Sequence, residues 1–255
     1  MRTFAGLCEL VATLRGPDGC PWDRVQTPDS LRPYLLEETA EVLDALDSGD
    51  PAKLREELAD LLFEVILQTQ LASESSDFTM ADVIYDVSSK LVRRHPHVFA
   101  DSSASTPEAV VEQWDELKKK ERGEQSAIAG IPGTLPALAY AQALQRRAGK
   151  VGFEWERSEE YWAALTEELE ELRDAEEKGQ KLEAGDALFA LANLVRSLGI
   201  DAEDALTLAS SRFAARFSRV EDIAVGRQID LPATDLQTKL NLWEEARQAG
   251  STGTG

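Results

Sequence analysis

The chain has 255 residues, a length suited to one large or two small domains. Hydrophobic residues make up 43% and charged residues 29%, the balance of a helix-rich protein with a packed core. A net charge of -20, from 47 acidic and 27 basic residues, argues against nucleic acid and an anionic membrane surface as partners. A small anionic substrate remains compatible, provided that a metal ion or a local basic cluster offsets the field.

Apolar residues recur at helical spacing along most of the chain, and alternating runs are scarce, so the expected fold is all-α. In chain order, Gly16-Pro17-Asp18-Gly19-Cys20-Pro21 reads as a loop. Gly49-Asp50-Pro51 reads as a turn, with Asp50 capping the next helix and Pro51 at its first position. Leu54, Leu58, Leu61, Leu62, Val65 and Ile66 form one apolar stripe. His95-Pro96-His97 ends a helix, and residues 102–107 form a loop in which Thr106 caps the helix that follows. Glycines and prolines concentrate between Gly123 and Pro136. Leu188, Leu191, Leu194 and Val195 carry a second stripe. The expected organisation is a domain over 1–124, a linker over 125–136, a second domain over 137–249 and a flexible tail over 250–255.

Cys8 and Cys20 form no CxxC pair, which gives little support to a zinc site or a redox pair. No run of about 18 apolar residues is present. Met1 to Ala12 lacks the pattern of a secretory signal. The expected setting is the cytoplasm.

The acidic residues follow a repeated pattern. Glu37-Glu38-Thr39-Ala40-Glu41 precedes Glu57-Leu58-Ala59-Asp60, and Glu167-Glu168-Leu169-Glu170-Glu171 precedes Glu183-Ala184-Gly185-Asp186. Both have the form EExxE followed by ExxD, which marks a duplication. Residues three apart share a helix face. If each pair of helices folds back as an antiparallel hairpin, Glu38 meets Asp60 and Glu41 meets Glu57 around a turn centred on Gly49. The second set meets in the same way around Glu177, beside Lys178-Gly179. Glu57, Asp60 and Glu64 border the apolar stripe of their helix, and Glu38 and Glu41 border theirs. Four carboxylates so placed repel one another, and a hard divalent ion resolves the repulsion. Mg2+, with Mn2+ as the alternative, also binds substrate phosphates, which points to phosphoanhydride chemistry. A lone EExxE run is ordinarily a solvated helix face; the mirrored spacing, found twice, argues otherwise.

At these residues the chain resembles the MazG family of nucleoside triphosphate pyrophosphohydrolases in its two-domain form. The resemblance is carried by Gly19-Cys20-Pro21-Trp22-Asp23, by both acidic sets, by Lys90-Leu91-Val92-Arg93-Arg94-His95-Pro96-His97-Val98-Phe99 and by Val151-Gly152-Phe153-Glu154-Trp155. It implies tandem helical domains whose bundles are completed by dimerisation. It also implies Mg2+-dependent hydrolysis of an NTP or dNTP to the monophosphate and pyrophosphate, with broad specificity and a house-cleaning role. Glu38, Glu41, Glu57 and Asp60, and their counterparts Glu168, Glu171, Glu183 and Asp186, would hold metal. Glu37 and Glu167 would orient or deprotonate the attacking water. Lys90, Arg93, Arg94 and Lys118 in the first half, and Arg212 and Arg216 in the second, would contact the triphosphate. Trp114 or Trp243 would stack on a base, and Trp243 is the one that the family favours. Two-domain relatives usually carry Asn and Lys where this chain has Ser210 and Arg212, which leaves open which half turns substrate over. The alternative is a regulatory or scaffold protein with reduced catalysis that keeps a nucleotide–metal site. A ferritin-like redox centre is disfavoured, because His95 and His97 lie in neither acidic motif.

Overall fold

Twelve helices and no strand make up the regular structure among the described residues, which in this computed structural model are 2–100, 105–122 and 126–251. The chain divides into two compact units, Met1–Gly123 and Glu124–Gly255.

The first unit holds α1 (Phe4–Arg15), α2 (Pro21–Arg24), α3 (Arg32–Ser48), α4 (Pro51–Glu74), α5 (Met80–Arg94), α6 (Pro96–Phe99) and α7 (Pro107–Arg122). Its centre is the α3–α4 hairpin. Helix α3 stops at Gly49, which adopts the left-handed conformation at φ 65° and donates its backbone N–H to the Leu46 carbonyl. Glycine suits this position because it has no Cβ to strain there. Asp50 then accepts from the Ala52 N–H at 2.8 Å, and Pro51 opens α4. The far end of α4 packs on α1 through Val11, Leu31, Ile66, Leu67 and Leu71. Arg15 pairs with Glu74 at 2.7 Å and also donates to the Asp23 carbonyl, which ties α1, α2 and α4 together.

The second unit holds α8 (Ala137–Gly149), α9 (Ser158–Asp174), α10 (Gln180–Ser197), α11 (Ala202–Gly226) and α12 (Leu236–Ser251). Helices α9 and α10 form the second hairpin, with its turn over 175–179. Gln142 of α8 is fully buried against α10. Its amide nitrogen donates to the Ala192 and Ile200 carbonyls, both at 3.1 Å, and its oxygen accepts from the Ala202 N–H at 3.2 Å. A buried carboxamide satisfied on both sides fixes the spacing of α8, α10 and α11. Val220, Ala224, Leu242 and Ala246 join α11 to α12.

Two breakers act differently from the sequence expectation. Pro21 and Pro96 each begin a one-turn helix, α2 and α6, inside segments read as a loop and a helix end. Proline at the first helical position costs no hydrogen bond, so it starts a turn as readily as it stops one. Thr106 accepts from the Ala109 N–H at 3.3 Å at the start of α7. Residues 126–136 contain turns and no helix, and α12 runs on to Ser251. Residues 101–104 of the loop, residue 125 of the linker and residues 252–255 of the tail lie outside the described residues. No helix among the described residues is long and apolar enough to cross a membrane.

Candidate active site

Each hairpin brings carboxylates together. In the first, Glu38 and Glu41 on α3 and Glu57 on α4 place oxygens within 4.8 Å of one another. In the second, Glu168 and Glu171 on α9 and Glu183 on α10 do the same. The turns at Gly49 and at 175–179 make this possible by setting the two helices antiparallel. Asp60 and Asp186 lie outside these trios but within electrostatic reach of them.

The electrostatics match in the two units. Burial pushes the Glu38 carboxyl above its ordinary range, and Glu41, Asp60 and Glu57 add to the effect. Glu168 is raised for the same reasons, by burial first and then by Glu171, Asp186 and Glu183. Glu57 is raised by burial and by Glu41. The Glu38 Oε2 atom is buried with no hydrogen-bond partner among the described residues. Crowded carboxylate oxygens without donors, and without His or Cys in the set, fit a hard divalent cation. Glu37 and Glu167 are exposed beside their trios, where a side chain can reach water.

The second unit also contains a cavity of about 630 Å3. Phe153, Trp155 and Phe189 form aromatic walls, and Glu168 and Asp186 of the acidic set line the same space. Asn193 and Arg196 supply polar wall. Arg196 is held by Glu154 at 2.7 Å and by the Asn193 Oδ1 at 3.0 Å. Tyr161 donates to Glu154 at 3.0 Å. The Arg196 guanidinium and the Tyr161 hydroxyl keep the Glu154 carboxyl below the usual carboxylate range. An aromatic space that opens onto a carboxylate cluster suits a ligand with a flat apolar part and an anionic part.

Comparison with known proteins agrees with this chemistry. The model of the MazG nucleotide pyrophosphohydrolase domain matches residues 26–99. The chain is 42% identical over 258 residues to the nucleoside triphosphate pyrophosphohydrolase of Escherichia coli (strain K12), covering 97% of this chain and 98% of that protein. It is 38% identical over 252 residues to the nucleoside triphosphate pyrophosphohydrolase/pyrophosphatase MazG of Thermotoga maritima, covering 98% of this chain and 97% of that one. The chain belongs to the MazG family. The matched MazG domain contains the first acidic set, and the likeness to the full-length relatives extends over the second.

The basic residues of this MazG chain occupy varied settings. Arg93 and Arg94 converge on Glu121 of α7, Arg93 at 2.8 Å, and together they hold its carboxyl down to about 2. Lys90 is exposed one turn earlier on α5. Lys118 stands 5.3 Å from the centre of the Trp114 ring. In the second unit Arg216 lies 4.8 Å over the Trp243 ring, with Phe213 packed 5.1 Å from the same ring. Arg212 is exposed on the same helix.

Val151 to Trp155 stand in the sequence as a family signature, and the fold makes Gly152 to Trp155 a wall of the cavity. Asn193 and Arg196 line it too, and no motif marks them in the sequence. The available signal was their spacing, three apart on a helix that already carries Glu183 and Asp186.

Proposed function

We propose that the chain hydrolyses nucleoside and deoxynucleoside triphosphates to the monophosphate and pyrophosphate, consuming one water, with Mg2+ held at the acidic hairpins. The observation that carries this reading is the pair of carboxylate trios, each within 4.8 Å, one of which shares a cavity with aromatic walls. The names of the full-length relatives support the reaction. Glu38, Glu41, Glu57 and Asp60 hold the ion in the first unit, and Glu168, Glu171, Glu183 and Asp186 in the second. Mn2+ substitutes, because the same oxygen donors suit it.

The ion, when bound, neutralises the triphosphate and polarises the phosphorus under attack. Glu37 and Glu167 orient the water and take its proton. Phe153 and Trp155 stack on the base and shut water from that end of the substrate. Lys90, Arg93, Arg94 and Lys118 in the first unit, and Arg212 and Arg216 in the second, stabilise the charge of the departing pyrophosphate. Trp243, already beneath the Arg216 guanidinium, offers a second ring face. Stacking tolerates every base, which supports broad specificity and a house-cleaning role. Exposed apolar residues on the hairpins, among them Leu43, Leu58, Leu182 and Leu188, support a homodimer that covers them. The acidic surface and the absence of a long apolar helix among the described residues support work in the cytoplasm, apart from membrane and nucleic acid.

The test is Mg2+-dependent pyrophosphate release across all NTPs and dNTPs, with Glu38→Ala compared with Glu168→Ala. Loss of turnover in one variant identifies the working unit, and loss in both assigns work to both. Full turnover in the double variant would remove the acidic hairpins from the reaction.

A further inference from the structure

Helix α4 carries one more acid than its counterpart. Glu64 follows Asp60 by four residues and Glu57 by seven, so the three share a face of the helix. It stands where that face passes from the acidic cluster into the core of Ile66, Leu67 and Leu71. Glu64 is only 4% exposed. Its Oε2 atom is buried with no hydrogen-bond partner among the described residues, and the Oε2 of Glu38 is in the same condition. Burial raises the Glu64 carboxyl above its ordinary range, and the neighbouring Glu38 raises it further. In the second unit the matching position, one residue beyond Phe189 as Glu64 is beyond Phe63, is Ala190. The acidic sets that look equal in sequence are therefore unequal in depth.

A carboxylate closed off from water needs a donor or a cation. No donor among the described residues reaches Glu64 Oε2 or Glu38 Oε2. We propose that Glu64 is a further carboxylate of the cation centre in the first unit, so that this centre holds its divalent ion more tightly than the second. Ligand charge is a main determinant of affinity for hard cations, and the first unit brings the added charge on a side chain already fixed by packing.

This inference rests on the reading of the acidic hairpins as cation centres, and one experiment separates the two. The full chain is titrated with Mn2+, without nucleotide and at fixed pH, and free Mn2+ is followed by electron paramagnetic resonance. The expected result is two classes of site that differ about 10-fold or more in affinity. Glu64→Gln should reduce the tight class to the weak one. Glu168→Gln should abolish the weak class and spare the tight one, a result that does not depend on how the Glu64 variant folds. Two equal classes, an unchanged tight class in Glu64→Gln, or loss of the tight class in Glu168→Gln would each overturn the inference. No Mn2+ binding at all would overturn the cation centres themselves.

Discussion

Glu168 and Glu183 place carboxylate oxygens within 4.8 Å of each other although they lie on different helices, α9 and α10. Two like charges at that distance are stable together only if something offsets them. Burial and neighbouring acids already raise Glu168. The first unit repeats the arrangement with Glu38 and Glu57.

Metal and pH should act on stability in a linked way. With Glu38 and Glu168 raised above their ordinary value of 4.5, the folded chain binds more protons than the unfolded chain between that value and their higher folded values. These groups therefore lower stability as pH rises through that window, and the penalty is complete above their folded values. In thermal melts, Mg2+ should raise Tm more at about pH 8 than at about pH 5. Under chelator at the higher pH, Glu168→Gln should melt above the parent protein. Equal Mg2+ effects at both pH values would contradict the clustering.

Trp155→Ala should weaken substrate binding more than the chemical step. Removing one stacked ring costs about 1–3 kcal/mol. In a Glu38→Ala background, which leaves the second unit alone, KM should rise about 5- to 150-fold with kcat changed little. Steady-state pyrophosphate release measures both. A fall in kcat at constant KM would place Trp155 outside the base site.

Leu67→Ala should destabilise the first unit by about 2–5 kcal/mol. Leu67 is fully buried between α1 and α4. The loss should appear in denaturant unfolding. Leu58→Ala, at an exposed position on the same helix, should cost far less.

Gly49→Ala should cost about 1–2 kcal/mol through backbone strain alone. Its φ of 65° is one that an L side chain seldom adopts, and no atom stands within 4 Å of an added Cβ. Asp50→Ala, which removes the cap on the Ala52 N–H, should cost about 1 kcal/mol. Both changes act on the turn that sets Glu41 opposite Glu57, so metal affinity should fall with stability in calorimetric titrations.

Local patterns are legible in a sequence because they obey local rules. The duplicated EExxE and ExxD motifs, the Gly49-Asp50-Pro51 turn and the helical stripes depend on spacing along one chain, and helix geometry converts spacing into facing positions. The second turn falls over 175–179, where mirrored acids require it. The short helices at Pro21 and Pro96 were not legible, since proline at a first position and proline as a stop look alike in one dimension.

The sequence by itself determined the helical class, the doubled acidic motif and the antiparallel pairing that brings Glu41 to Glu57 and Glu171 to Glu183; the fold drew Glu38 and Glu168 into those trios and left Asp60 and Asp186, their expected partners, outside. Only the tertiary structure decided which acids are buried, which basic residues are already paired and where a ligand has room. Glu64 reads as one more acid at a helix edge, and only the packed fold leaves it 4% exposed. Arg93 and Arg94 read as free cations until α7 brings Glu121 to them. The cavity beside Glu168 exists because α8, the segment at Phe153 and α10 leave a gap that no single helix encodes. Burial, pairing and empty volume are properties of several segments at once, and they arise only when side chains distant in sequence pack against one another.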